Sequence, residues 1–339
     1  MEQAPPNLTA LWESFTGYQR TAAIKAAIEL DLFSRIAKGD DTVAALAQSA
    51  DASTRGVRIL LDHLTMDGYL TRAGDRYSLT PTAAAFLDRS SPAYVGSAIT
   101  FLASPMIMQA FHTLTDAVRN GGTVIEGDGS LAPEHSMWVD FARAMSPLAA
   151  MSGGLVANLL DIASRPGGKV LDVAAGHGMF GIALARQNAN VHVTALDWKN
   201  VLALAEENAR TAGVAERFRT LPGSAFDVDW GTGYDLVLLP NFLHHFDPPT
   251  CETILAKAKA ALAPTGEVVI VEFIPDDDRS GPPDPVRFGL VMLASTPAGD
   301  AYTFAEYREM LRRVGFAEPK LHDLVPTPTR VVTAKLSGG

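Results

Sequence analysis

Two adjacent histidines, His244 and His245, close an apolar run in YDLVLLPNFLHHFDPPTC (residues 234–251), and Asp-Pro-Pro follows at once. Imidazoles at the mouth of a buried strand can be packed core groups, metal ligands or proton acceptors. Consecutive residues on an extended strand point to opposite faces. The pair can therefore serve one metal only if the strand has ended and a turn re-aims one ring. No His-x-x-x-His spacing or carboxylate-rich cluster accompanies them, and Cys251 is the only cysteine, so no site of several thiolates can form. We therefore read His244 as a general base, with His245 supporting it or touching the substrate, and we expect no metal site. Glu272 ends the strand-like GEVVIVEF and is placed to accept a proton from an imidazole; its alternative role is a satisfied strand-end carboxylate.

A second constellation lies upstream. VLDVAAGHGMFG contains Gly176-x-Gly178-x-x-Gly181 between a strand and a helix, the spacing of a dinucleotide fingerprint. Glycine there means that a ligand approaches the backbone closely at a helix N-terminus. Asp172, within the preceding strand, discriminates between ligands. A carboxylate there repels a diphosphate but attracts a cationic amino group, such as that of S-adenosylmethionine, which carries an ammonium, a sulfonium and no phosphate. Asp197, ending VHVTALD, sits where an acid can hold two ribose hydroxyls, and Trp198 beside it can pack on an adenosine. A nicotinamide-dependent oxidoreductase stays open from the glycine spacing alone, with Asp172 against it.

The elements that position these groups alternate. From about Gly167, strand-like runs (GKVLDVA, VHVTALD, RFRTLPG, YDLVLLP, GEVVIVEFI) are separated by helical ones (FGIALARQN, NVLALAEENARTAG, CETILAKAKAALAP). This pattern predicts a doubly wound, mainly parallel α/β sheet. PDDDRSGPPDP reads as a loop and a candidate lid, followed by the helix TFAEYREMLRRVGF. KLHDLV and RVVTAKL, joined by a short Pro-Thr-Pro-Thr turn, must be antiparallel. Before the sheet, residues 1–95 read as short helices and a hairpin around Gly74-Asp75, a winged helix. Ser53 or Thr54 is the expected cap of its third helix and Gly68 lies near that helix's end. Residues 96–160 read as connecting helices rich in Met, Phe and Ala, interrupted by the glycine-rich NGGTVIEGDGS; residues 161–339 form the catalytic domain.

A winged helix raises the possibility of a DNA-binding regulator. Its third helix, however, pairs Arg55 and Arg58 with Asp62 and Asp67, where phosphate contacts need a basic face. The whole chain is 339 residues long, 47% apolar and 19% charged, with net charge −10, which disfavours broad attraction to nucleic acid or anionic membranes. The start MEQAPPNLTALWESF lacks a basic segment ahead of an apolar core, and no apolar run is long enough to span a bilayer. With one cysteine, a reducing cytoplasm is the expected location.

Taken with LDVAAGHG, LPGSAF, LHHF, VEF and the reversed final hairpin, the chain resembles, over nearly its full length, the class I S-adenosylmethionine-dependent small-molecule O-methyltransferases with an N-terminal winged-helix dimerisation domain, the plant caffeate type and its bacterial relatives. The resemblance implies a seven-stranded sheet, an intertwined homodimer, and methyl transfer to a hydroxyl in a pocket between the domains. It implies cofactor contacts from Gly176 and Gly178, from Asp197, from the strand end Gly223, Ser224, Ala225 and Phe226, and from Asn241. In many relatives an Asp stands where this chain has Ser224. The family base corresponds to His244, and the next residue, often Asp, is His245. Glu272 matches a Glu that orients the base; a second such Glu of plant members falls at Ala301, flanked by Asp300 and Tyr302. Residues that hold a flat acceptor map to Met145 and Met292, with Phe141 in the same stripe. C- or N-methyl transfer, and a scaffold that binds the cofactor without transferring methyl, remain alternatives within the superfamily.

Proton affinity narrows the acceptor. An ordinary imidazole titrates near ~6.5 and a phenol near ~10, so transfer between them is uphill by roughly 3.5 units, about 5 kcal/mol. For an alkyl alcohol resembling water, near ~15.7, the gap is about 9 units, or about 12 kcal/mol. A histidine base therefore points to a phenolic or enolic hydroxyl.

Overall fold

The computed structural model describes residues 7–125, 137–317 and 319–337. The second half of the glycine-rich stretch, residues 126–130, lies outside them, as do the first six residues. The chain divides into two compact units, Met1–Pro105 and Met106–Gly339. The division falls at Pro105. Ile99 packs on the first unit's core, and Lys25 Nζ donates to Ala103 O at 2.8 Å.

In the first unit, α1 (Leu8–Glu29), α2 (Leu32–Ala37), α3 (Val43–Ser49) and α4 (Thr54–Met66) precede a hairpin of β1 (Leu70–Ala73) and β2 (Arg76–Leu79). Two short helices follow, α5 (Pro81–Phe86) and α6 (Ala98–Leu102). The helical spacing across residues 17–36 belongs to two helices, because Asp31 turns the chain at φ 56°. Ser53 caps α4 by accepting from Gly56 N at 3.0 Å. Leu32, Phe33, Leu46, Leu61, Leu64 and Tyr77 fill this unit's core. Three basic groups near α4 are engaged within the unit: Arg58 and Arg72 donate to Asp62, and Arg20 to Asp67.

The second unit opens within α7 (Pro105–His112), after that helix's first residue, and continues with α8 (Leu114–Asn120) and α9 (Met137–Leu159). It continues through β3 (Gly168–Val173), α10 (Met179–Gln187), β4 (Val191–Asp197), α11 (Lys199–Thr211), β5 (Phe218–Pro222) and β6 (Tyr234–Pro240). Then come α12 (Pro248–Ala261), β7 (Leu262–Glu272), α13 (Pro283–Ser295), α14 (Phe304–Val314), β8 (Lys320–Asp323) and β9 (Arg330–Lys335). The seven strands of the larger sheet lie in the order β5-β4-β3-β6-β7-β9-β8. All pairings are parallel except β7–β9 and β8–β9.

Strand periodicity covers both faces. Val170, Leu236, Leu238, Val269 and Val271 pack with Val156, Phe180, Leu184 and Leu202 on one side. Their neighbours Leu171, Val237, Leu239, Val268 and Ile270 pack with Ile254, Leu255, Tyr307 and Leu311 on the other. The strand order reverses between β3 and β6, which places a ligand crevice at their carboxyl ends.

In the second unit, one helix differs from the sequence reading. Residues 283–295 form α13, where the run of prolines reads as loop. Pro283 and Pro285 fall in the first turn, where a missing N–H costs no helical hydrogen bond.

Candidate active site

Asp172 belongs to the strand face that looks onto α10, and it is completely buried. Gly181, the third glycine of the motif, lets α10 approach. A Cβ there would stand 2.6 Å from Val193 Cγ1, and its amide donates to Asp172 Oδ2 at 2.9 Å. Asp172 Oδ1 has no partner. Loss of water, reinforced by the nearby charge of Asp197, pushes the Asp172 pKa up to about 7. Gly178 caps α10 at φ 72°, and a side chain there would crowd Phe218 and Ala205. Gly176, at φ 57°, has open space where a Cβ would stand, with nothing nearer than Ala174 O at 3.9 Å.

Asp197 ties three predicted positions together. Its Oδ2 accepts from Gly176 N at 2.7 Å, its Oδ1 from Trp198 N at 2.6 Å, and its carbonyl from Gly223 N at 2.9 Å. Desolvation raises its pKa to about 6 against the pull of those two amides. Beyond Gly223, Ser224 Oγ accepts from Phe226 N, and Ala225 O accepts from Trp230 Nε1. Lys257 Nζ holds the carbonyls of Phe226 and Val228, and the Phe226 ring stays 40% exposed.

Across the switch point, β6 ends at Pro240 and Asn241 turns the chain at φ 52° while its amide donates to Val271 O at 2.8 Å. Asn241 Oδ1 is buried without a partner. The unsatisfied oxygens of Asp172 and Asn241 are both acceptors, which a cationic amino group satisfies and a diphosphate does not. With the open backbone at Gly176, the crevice fits S-adenosylmethionine.

The histidines follow in a single 3-10 turn, Leu243–His245, so the opposite-face geometry of a strand does not apply. Their ring centroids are 4.3 Å apart. His244 is buried and its Nδ1 lies 2.5 Å from Oε2 of the fully buried Glu272. Glu272 Oε1 accepts from Phe242 N at 2.9 Å and from His244 N at 3.3 Å. Acceptance by that carboxylate makes Nδ1 the protonated nitrogen and leaves Nε2 as a proton acceptor. His245 Nδ1 is buried without a partner, and burial beside His244 holds its pKa well below the usual imidazole range. Among the described residues no group of three His, Cys, Asp or Glu could hold a metal ion.

Aromatic rings surround the pair. Trp138 meets His245 edge-on at 5.6 Å and Phe141 at 5.7 Å, so the start of α9 reaches the site. Met145 follows Phe141 by one helical turn and is half-buried. Phe288 on α13 lies 4.8 Å from the His244 ring and stacks on Phe273 at 4.1 Å. Met292, one turn further, is buried. Trp138, Phe273 and Phe288 are absent from the sequence reading. Trp138 lies in the same apolar stripe as Phe141, whereas Phe288 was hidden in the stretch read as loop. Of the two residues flanking Ala301, Asp300 turns its carboxylate to Arg279, and Tyr302 donates to Phe246 O at 2.5 Å; neither carboxylate nor phenol is bonded to the imidazole.

This sheet order, with a reversed last hairpin and an acid-lined glycine crevice beside a buried His–Glu pair, defines a class I S-adenosylmethionine-dependent methyltransferase. Family models agree: residues 111–317 match the O-methyltransferase domain and residues 12–89 the O-methyltransferase dimerisation domain. The chain is 32% identical over 316 residues to 3-hydroxy-5-methyl-1-naphthoate 3-O-methyltransferase of Streptomyces sahachiroi, covering 91% of this chain and 90% of that protein. A crystal structure of a putative O-methyltransferase from Nostoc punctiforme is 50% identical with TM-score 0.92, covering 97% of this chain and 99% of that one. Human N-acetylserotonin methyltransferase, solved in complex with S-adenosylmethionine, shares the fold at TM-score 0.86 and 22% identity, covering 99% and 100%. The chain belongs to the O-methyltransferase family and is an S-adenosylmethionine-dependent enzyme.

Proposed function

We propose that this O-methyltransferase acts on a phenolic or enolic hydroxyl of a small aromatic metabolite, with His244 as general base. The observation that carries the reading is the buried contact between His244 Nδ1 and Glu272 Oε2 at 2.5 Å. S-adenosylmethionine, when bound, supplies a methyl group on a sulfonium centre, so the protein's tasks are alignment and proton removal. Asp172 and Asn241 hold its amino group, Asp197 its ribose, Trp198 and the Gly223–Phe226 segment its adenine, and Gly176 and Gly178 admit it to the backbone. His244 Nε2 takes the hydroxyl proton as the oxygen becomes a nucleophile, and Glu272 stabilises the imidazolium that results. Neutral His245 offers its free Nδ1 to a second polar group on the acceptor. Phe141, Met145, Phe288 and Met292 grip the flat ring, whose class agrees with the naphthoate named for the Streptomyces sahachiroi relative.

Leu8, Leu11, Trp12 and Phe15, all exposed, share one face of α1 at helical spacing, and this stripe supports a homodimer through the first unit. The single cysteine suits a reducing cytoplasm. A panel of phenols, enols, alkyl alcohols and amines, each incubated with enzyme and S-adenosylmethionine and read by mass, tests the acceptor class. Methyl gain on phenols or enols is expected; gain confined to alkyl alcohols or amines would overturn it.

A further inference from the structure

The turn that carries His244 has little to hold it from within. It is three residues of 3-10 helix entered through a left-handed Asn241, and its own hydrogen bonds are His245 N to Phe242 O at 3.3 Å and Phe246 N to Leu243 O at 3.1 Å. Two of its carbonyls are satisfied instead by the segment between α13 and α14. Asp300 N donates to His244 O at 3.0 Å, and the Tyr302 hydroxyl donates to Phe246 O at 2.5 Å. Gly299 lets the segment come this close, since a Cβ there would stand 2.3 Å from His244 O.

That segment is anchored at its start by Thr123 N on Thr296 O at 2.8 Å, and over residues 300–302 one side chain from the loop after β7 clamps it. Arg279 Nη1 donates to Ala301 O at 2.9 Å, while Nη2 reaches Glu306 at 2.9 Å and Asp300 at 3.4 Å. Arg279 stands in the loop that leaves β7 just after Glu272, with its own backbone at φ 56° and its amide bonded to Asp276 O at 2.8 Å. A closed circuit results, from Glu272 along the loop to Arg279, across to residues 300–302, onto the His244 carbonyl, and through the imidazole back to Glu272.

We infer that Arg279 is a positioning residue for His244: by clamping residues 300–302 onto the histidine turn, it holds the imidazole against Glu272. Ala301 presents only a buried methyl group and a carbonyl, so in this chain the second support of the base is backbone, fixed from a distance by a guanidinium. The guanidinium is partly exposed, so its ion pairs add little to global stability. Its planar fork serves a carbonyl and two carboxylates together, which an ammonium cannot reproduce. The functional weight of the clamp rests on His244 being the base; its geometry does not.

The test uses the full-length enzyme labelled with nitrogen-15 in histidine, and reads solvent exchange of the His244 Nδ1 proton by NMR. Thermal midpoint and calorimetric affinity for S-adenosylhomocysteine are measured alongside. In Arg279→Ala the exchange is expected to be about tenfold faster through local opening, with midpoint and affinity little changed, and Arg279→Lys is expected to fall between. Wild-type exchange in Arg279→Ala would overturn the inference. So would faster exchange matched by a general loss of stability in both variants. Should His244→Ala retain full methyl transfer while Arg279→Ala still frees the ring proton, the base assignment fails and the clamp stands.

Discussion

Glu272 is completely buried with both oxygens engaged, Oε1 by two amides and Oε2 by the imidazole. Glu272→Gln keeps the volume but removes the charge that, in the proposed mechanism, fixes the tautomer and stabilises the imidazolium. A fall in kcat of at least about tenfold, with a displaced pH–rate profile, is expected from steady-state assays. An unchanged profile would make Glu272 a satisfied strand-end carboxylate and nothing more. Asp172 yields a prediction whose sign follows from its raised pKa. Folded and ligand-free, it holds its proton up to about pH 7, whereas an unfolded Asp ionises near 3.8. The folded state therefore binds more protons between these values, and stability falls as pH rises through that window. Asp172→Asn should flatten this dependence in thermal melts. Binding a cationic amino group favours the ionised form, so wild-type affinity for S-adenosylhomocysteine should weaken as pH drops below about 7, and calorimetry of Asp172→Asn should show weaker, flatter binding. Asp172, Asp197 and Glu272 stand out in the sequence as polar residues within or at the end of apolar strands, and His244 as an imidazole a few residues beyond one; the roles given to them are part of the proposal. Trp138 and Phe288 do not stand out, because an aromatic in a helical stripe looks the same whether it faces core or site.

At the scale of elements, the strands and most helices followed from periodicity, and the antiparallel end of the sheet followed from the short turn before β9. Two features did not. Proline is read as a breaker, yet at the start of α13 it only fixes the first turn, so a helix that brings Phe288 to the imidazole was taken for loop. The histidine turn was hidden because a left-handed Asn241 is set by tertiary bonds, here its amide on Val271 O, and not by local composition. The close approach of residues 299–302 is sensitive to one methyl group. Gly299→Ala should displace the turn, lowering kcat and costing about 1–3 kcal/mol in denaturant unfolding. An unaltered kcat would show that the turn tolerates the shift.

Across the whole molecule, the apolar stripe on α1 and the match to a dimerisation domain concern the first unit, whereas the chemistry belongs to the second. Trp12→Asp combined with Phe15→Asp should shift sedimentation from dimer toward monomer while the fold of each unit persists by circular dichroism. A wild-type enzyme that sediments as a monomer would contradict that assembly. The central claim is that a buried histidine–glutamate pair takes the acceptor's proton. The measurement that bears on it most directly is kcat of His244→Ala on a phenol methylated by the wild type, with S-adenosylhomocysteine affinity measured in parallel. The account predicts a loss of about 10²–10⁴-fold at unchanged affinity. Full turnover by His244→Ala would contradict it.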